Sequence, residues 1–251
     1  MIPHDGIPGD DRGLLLGDGL FETLLAVDGT LPHLAAHLDR MAAGCEILTL
    51  PFDRAEAERL VRGAAPAAGR FAVRLTLTAG SGGRGLDRPA APVPRLFATA
   101  APSVPVTTPA ALIVATTRRN EGSPAARLKT LSYLDNVLAR AEARRAAADE
   151  AVMLNNRGEL ACAGAANLFW ISQGRLFTPR LDCGALAGIT RARILARHPV
   201  EEVAVGVEAL EAAEALILTN SLIGARPVSQ LGERMFERHP LVEALRASLA
   251  I

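Results

Sequence analysis

Lys129, in the stretch Arg127–Arg145 that reads "RLKTLSYLDNVLARAEARR", is the single lysine of a 251-residue chain carrying 27 lysine and arginine residues together. Surface charge, carboxylate pairing and phosphate binding all transfer from ammonium to guanidinium, often with gain. Schiff-base chemistry does not, because an aldehyde condenses with a neutral primary amine and arginine stays protonated at any useful pH. An arginine- and alanine-rich composition also leaves some lysine last by drift, so the residue alone allows both readings. On the functional one, Lys129 is a candidate anchor for the aldehyde of pyridoxal 5'-phosphate, which asks three more things of the chain: a phosphate cradle, a partner for the pyridine nitrogen and a wall for the ring.

Phosphate binds at helix N-termini, where backbone N–H groups and the helix dipole attract anions. In "LAGITRARIL", Gly188, Ile189 and Thr190 open such a helix, and "LTNSLIG" ends a strand with Asn220 and Ser221 as further donors. Phe169 and Trp170 could wall a ring, although aromatics on such a strand equally suit a core. Tyr133 lies four residues beyond Lys129, which on a helix is the same face.

The bulk composition removes other classes. The 27 basic and 27 acidic residues cancel to a formal charge of +0, so no global field favours nucleic acid or an anionic membrane surface. The start "MIPHDGIPGDDRG" lacks the basic, then apolar, pattern of a signal peptide, and no apolar run approaches the roughly 20 residues of a spanning helix. Cys45, Cys162 and Cys183 form no CxxC pair. These features suit a reducing cytoplasm. His33 and His37 have zinc-compatible spacing, but no HExxH or cysteine cluster completes a site, and no metal is expected.

The elements that must position these groups are legible by period. "GLFETLLAV" reads as a buried strand followed by the Asp-Gly turn of a hairpin. "LPHLAAHLDRMAAGCEIL" places Leu34, Leu38, Met41 and Cys45 at helical spacing, and "DRAEAERLVRGAA" predicts a second helix. "RFAVRLTLTAG" alternates Phe71, Val73, Leu75 and Leu77 against Arg74, Thr76 and Thr78, the pattern of a half-buried strand, and "GSGGRG" ends it in a loop. "VPRLFATAAP" and "ALIVATT" are further strands, with the proline-rich "APSVPVTTPA" between them as a domain boundary. Beyond Lys129 a helix with an apolar stripe of Leu131, Leu134 and Leu138 is expected. Then follow the strands "EAVMLN", "ELAC", "NLFWI" and "RLFTP", the helix after "GIT", the strand "ALILTN", the segment "ARPVSQL" and a terminal helix. Mixed elements in both halves predict two α/β or α+β domains: an N-terminal domain over 1–105, a linker and first strand over 106–120, and a C-terminal cofactor-anchoring domain over 121–251.

Seven segments in order, "LLLGDGLFETLLAVDG", "AAHLDRM", "RLTLTAGSGGRGL", "RLKTLSYLDNVLARAEA", "ADEAVMLNNRGELACAGAANLFW", "RLFTPRLDCGALAGITR" and "LILTNSLIGARPV", resemble the class IV (fold type IV) pyridoxal-phosphate enzymes. That family comprises branched-chain and D-amino-acid aminotransferases and aminodeoxychorismate lyase. The resemblance implies a two-domain, D-amino-acid aminotransferase-like fold and a homodimer acting on a small amine. It makes Lys129 the Schiff-base and proton-transfer residue, and Arg40 the phosphate-gripping arginine. Ile189, Thr190, Asn220 and Ser221 become the phosphate cradle.

Two departures stand out against the family. Its members place a glutamate five residues before the asparagine of "NLF" to hold the pyridine nitrogen protonated, and its lyases keep that glutamate too; here the position is Cys162. The nitrogen's partner is then a thiol, a water, or Glu159, whose odd offset along the strand needs a bulge to bring it round. The D-amino-acid enzymes place tyrosine at Phe21 and Arg-x-His where this chain reads Arg84 to Leu86, so of that carboxylate trap Phe21 and Arg84 remain as substrate-side candidates. "SGGRG", "AANLFW", "TPRLD" and "TNSLIGARPV" look most like aminodeoxychorismate lyase, whereas Glu22 is commoner among aminotransferases. The expected activity is conversion of 4-amino-4-deoxychorismate to 4-aminobenzoate and pyruvate, with an amino-acid aminotransferase as the alternative. A binding module that kept the fold without its chemistry is a third reading.

Overall fold

The computed structural model describes residues 6–82 and 85–249. The chain divides into two compact units, Met1–Val104 with Leu128–Ser132, and Pro105–Arg127 with Tyr133–Ile251.

In the first unit, α1 (Arg12–Leu16) leads into β1 (Gly19–Val27), then α2 (Leu34–Ile47), α3 (Arg54–Ala64), β2 (Arg70–Thr78) and β3 (Arg95–Pro102). The strands form an antiparallel sheet in the order β1-β2-β3. Leu20, Leu24 and Ala26 of β1 and Val73, Leu75 and Leu77 of β2 meet Leu34, Leu38, Met41 and Cys45 of α2 and Ala57 and Val61 of α3 in one core. The alternation of β2 holds, but the strand is more than half-buried: Thr76 and Thr78 on the other face are buried as well. Asp11, the N-cap of α1, accepts a 2.8 Å hydrogen bond from Thr78 Oγ1 and so satisfies a hydroxyl withdrawn from water.

The Asp-Gly turn forms, with Asp28 at φ 47° and Gly29 at φ 74°, and Val27 and Thr30 exchange N–H···O bonds of 2.9 Å. No second strand follows it, however. β1 pairs instead with β2, from Gly19↔Thr78 to Val27↔Arg70.

The expected domains are 1–105, 106–120 and 121–251, with Lys129 in the last. Leu128–Ser132 belongs to the first unit. β1 lies at a sheet edge and its outer backbone groups need partners. The Lys129 segment supplies them: Phe21 N–H donates to the Lys129 carbonyl at 2.8 Å and Leu131 N–H to the Gly19 carbonyl at 3.0 Å, around a Leu20↔Thr130 bridge. Gly19 makes the approach possible, since a Cβ there would stand 2.2 Å from the Leu77 carbonyl oxygen and 2.8 Å from the Leu131 side chain.

The second unit contains β4 (Ala110–Val114), α4 (Pro124–Arg127), α5 (Leu134–Arg145), β5 (Glu150–Leu154), β6 (Leu160–Ala163), β7 (Asn167–Ser172), β8 (Arg175–Pro179), α6 (Ile189–Leu195), β9 (Val200–Val203), α7 (Glu208–Glu211), β10 (Ala215–Asn220), β11 (Gly224–Leu231), β12 (Arg234–Met235) and α8 (Pro240–Leu249). Its sheet runs β6-β5-β4-β11-β10-β7-β8-β9, with β12 against β11. The β4–β5, β4–β11 and β8–β9 pairs are parallel. Strand β7 is buried on both faces. Leu168 and Trp170 enter one core with Leu216, Leu218 and Val228, and Phe169 and Ile171 enter another with Ile217, Ile194 of α6 and Val242 and Leu245 of α8. Trp170 stacks on Phe177 at 5.8 Å between centroids. Both aromatics are therefore core residues.

The leucine stripe expected after Lys129 is not a core face. Leu131 precedes the helix, and Leu134 and Leu138 of α5 are 67% and 47% exposed. Asn136, Ala139 and Ala143 are the residues α5 buries, because alanines let the helix lie close over β5.

Candidate active site

In the first unit, the backbone pairing with β1 places Lys129 beside Phe21, whose ring centroid is 4.2 Å from Lys129 Nζ. Lys129 lies in a turn after α4, not in a helix, so the helical argument that put Tyr133 on its face does not hold. The Arg74 guanidinium stands 3.8 Å from the same centroid, with Nε donating to Thr76 Oγ1 at 3.3 Å. Sequence alternation marked Arg74 only as an outward residue. Pairing of β1 with β2 is what sets it beside Phe21. Cations over an aromatic face are attracted by the ring quadrupole.

Phe21 and Glu22 are consecutive on β1 and point to opposite faces. Glu22 thus enters the row of Leu20 and Leu24 that faces α2, at 1% exposure. Arg40 Nε donates to its Oε1 at 2.7 Å, Arg40 Nη2 to its Oε2 at 2.6 Å, and His37 Nδ1 to Oε2 at 2.7 Å. His37 and Arg40 are three residues apart and share a face of α2. Burial alone would raise the Glu22 pKa, but hydrogen bonds from His37 and Arg40 outweigh it and hold the carboxyl below the usual range. The histidine that had suggested metal spacing is thereby engaged by a carboxylate. Among the described residues no group of three potential ligands gathers for a metal.

Arg84 lies outside the described residues. Its loop is pinned just beyond it: Arg12 Nη2 donates to the Leu86 carbonyl at 2.6 Å and Nη1 to that of Asp87 at 3.1 Å, while Arg12 Nε and Arg88 Nε each reach Asp18 Oδ2 at 2.9 Å.

In the second unit, Cys162 pairs with Met153 across β5 and β6 in an alanine-lined pocket of core with Ala139, Ala143 and Ala161. Burial pushes its thiol pKa up, Glu150 adds to this and the Arg119 cation opposes it, so at neutral pH it is a protonated, weak donor. Glu159, the other candidate, is engaged by its neighbours. It accepts from Asn155 Nδ2 at 2.7 Å and Arg157 Nε at 2.9 Å, and the Arg157 and Asn155 hydrogen bonds lower its pKa. Arg119 itself is 5% exposed. Its donors go to neutral acceptors, Gly184 O at 3.2 Å, Asn136 Oδ1 at 2.8 Å and Ala126 O at 2.6 Å.

Helix α6 begins at Ile189 behind Gly188, an N-cap with no side-chain hydrogen bond to the first-turn amides. A Cβ on Gly188 would stand 2.0 Å from Asn167 Oδ1, so a larger residue here would have to displace the Asn167 side chain. Thr190 is buried, Ile189 and Ser221 partly so. Asn220 is spent on the fold. Its Nδ2 donates to the Ala165 carbonyl at 2.9 Å and its Oδ1 accepts from the Leu222 and Ile223 amides at 2.9 Å, an Asx turn rather than an offered donor.

Two hydroxyls the sequence reading passed over are buried without a hydrogen-bond partner, Thr130 Oγ1 next to Lys129 and Thr219 Oγ1 next to Asn220. Orphaned buried hydroxyls are uncommon and mark places where a polar group belongs. Taken unit by unit, Thr130 Oγ1 lies next to Lys129, whose primary amine suits an aldehyde, while Thr219 Oγ1 and the N-cap of α6, which no side chain fills, are groups of the kind that suit a phosphate.

The first unit thus holds a lysine whose segment pairs with a sheet edge, and the second a helix start without a side-chain cap. The chain belongs to the amino-transferase class IV family, whose profile matches residues 19–231, and members of that family depend on pyridoxal phosphate. It is 30% identical to a Methanocaldococcus jannaschii protein provisionally named a branched-chain-amino-acid aminotransferase, covering 93% of this chain and 85% of that one. It is 29% identical to the aminodeoxychorismate lyase of Vibrio harveyi over 91% of this chain and 88% of that one. The crystal structure of 4-amino-4-deoxychorismate lyase from Pseudomonas aeruginosa superposes with a TM-score of 0.90 at 33% identity, covering 98% of this chain and 95% of the other.

Proposed function

We propose that the chain is a pyridoxal-phosphate lyase that converts 4-amino-4-deoxychorismate into 4-aminobenzoate and pyruvate, a folate-pathway reaction in the cytoplasm. The observation that carries this reading is Cys162. Where the family has an ionised glutamate, this chain has a buried, protonated thiol, and Glu159 is held elsewhere by Arg157 and Asn155. A neutral partner weakens the ring's pull on an electron pair, and full transamination needs that pull most.

When bound, the coenzyme supplies an aldehyde for the substrate amine and a ring that withdraws electrons. With the coenzyme in place, Lys129 Nζ would take the proton from the carbon bearing the amine. That electron pair drives the enolpyruvyl ether out, the proton passes to the departing group, and pyruvate leaves without oxidant. The ring left behind becomes aromatic, a driving force no ordinary amino acid offers, and one that tolerates a weak sink. Phe21 fixes where the lysine amine stands, and Arg74 puts a cation beside it for a carboxylate. The likeness to two lyases agrees with this reading.

An amino-acid aminotransferase with a branched-chain or D-amino donor is the second reading, favoured by Glu22, where the lyases often carry threonine. One assay separates them: pyruvate and 4-aminobenzoate from aminodeoxychorismate, against keto acid from an amino donor plus 2-oxoglutarate. Keto acid formed faster than 4-aminobenzoate overturns the lyase reading.

A homodimer belongs to the same proposal. Leu14 and Leu15 of α1 are 63% and 62% exposed, and Leu134 and Val137 of α5 are 67% and 59% exposed. Neighbouring exposed leucines on a short helix are the kind of surface a second copy covers.

A further inference from the structure

We propose that Glu22 is the positioning residue of Arg40, locking the plane of its guanidinium in the orientation that receives the coenzyme phosphate; this rests on the phosphate role given to Arg40 above. The carboxylate engages the Nε–Nη2 edge through both oxygens, at 2.7 and 2.6 Å, which fixes the rotation of a planar group about every bond of its stem. Glu22 is itself held: His37 Nδ1 sits 2.7 Å from Oε2, and carboxylate and imidazole side chains are each 1% exposed. The arginine is the outer member, at 17% exposure against 1% for its carboxylate. A buried anion thus backs a partly exposed cation.

Stability gives a poor account of the same arrangement. Glu22 occupies a place between Leu20 and Leu24 that faces the α2 core, where an aliphatic side chain would bury without desolvating any charge. Replacing buried ion pairs by apolar residues of similar volume is often neutral or stabilising. A fork that fixes one guanidinium plane is explained if that plane matters to a ligand.

The test compares equilibrium binding of pyridoxal phosphate and of pyridoxal, which lacks the phosphate, to apoprotein. Both condense with Lys129, so their affinity ratio isolates the phosphate grip. Arg40→Ala should collapse the ratio, and Glu22→Gln should lower it by about tenfold or more, the usual effect of removing a partner that orients a ligand-binding group. Pyridoxal affinity should change by less than about threefold, and the double variant should be no worse than Arg40→Ala alone. A general loss of fold would weaken both ligands equally and leave the ratio untouched. If Glu22→Gln does not fold, Glu22→Asp keeps the charge but shortens the reach, and should lower the ratio as well. Should the Glu22 variants keep the wild-type ratio while Arg40→Ala loses it, the positioning role is wrong and the phosphate role stands. If Arg40→Ala keeps the ratio, both fall.

Discussion

Lys129 Nζ stands 4.2 Å from the centroid of the Phe21 ring, and a short backbone pairing of its turn with β1 brings the two together. The Phe21 amide donates to the carbonyl of Lys129 itself, so the residue that carries the amine also carries the hydrogen bond that aims it.

The first prediction concerns that amine. Lys129→Arg keeps the charge and the β1 pairing yet cannot form an imine, so turnover should fall by at least about a thousandfold. The visible absorbance of the wild-type protein should be absent, and borohydride should add coenzyme mass to the peptide holding Lys129 only in the wild type. Intact turnover in the variant would refute the whole functional reading.

Cys162→Glu restores an acid at the strand position the family uses. Keto-acid formation from amino donors should rise, while lyase turnover stays within about tenfold, because aromatisation rather than the electron sink drives that step. A hundredfold gain in lyase turnover would show that the native thiol was limiting.

Arg74→Ala removes the guanidinium 3.8 Å from the Phe21 centroid. Its loss should raise KM for a carboxylate-bearing substrate by about tenfold with kcat little changed, the signature of binding shared by ground and transition states. Steady-state kinetics with the wild type alongside decides this; a fall in kcat at constant KM would place Arg74 in the chemistry instead.

Glu142 links acid to unfolding. Burial would raise its pKa, yet hydrogen bonds from the Thr116 and Thr117 hydroxyls and amides, 2.6 to 3.0 Å long, bring it to about 2 from an ordinary 4.5. A lowered folded-state pKa contributes stability that is complete above the ordinary value and is lost as pH falls toward the lowered one. The thermal midpoint should therefore fall more steeply between pH 4.5 and 2 in the wild type than in Glu142→Gln. Parallel melting curves for the two would show that this carboxylate carries none of the acid sensitivity.

The exposed apolar face of α5 tests the dimer. Leu134→Glu with Val137→Glu, both at positions more than half exposed, should leave the monomer fold intact by circular dichroism and halve the mass seen in light scattering. A mass unchanged by the double substitution would move the interface elsewhere.

The strongly periodic elements were legible from local pattern alone. β1, β2, α2 and α3 lie where alternation and helical spacing put them, because each must bury one continuous apolar face. The short β9, α7 and β12 escaped notice, having too few residues to show a period. α5 misled for a different reason: its leucines look like a core stripe, but alanines and Asn136 make the close contact with β5.

The residue types on which the proposed chemistry rests are legible in the chain itself, one primary amine, the arginine of "HLDR", the "GIT" segment and the cysteine before "NLF", since which reactions a side chain can perform is a property of its atoms. Which groups keep company follows from packing. That Lys129 joins the first unit, that Glu22 forks Arg40 while His37 holds Glu22, and that Asn220 is spent on its own turn depend on strand register and on edges that need hydrogen-bond partners, relations between residues tens of positions apart that no local pattern encodes.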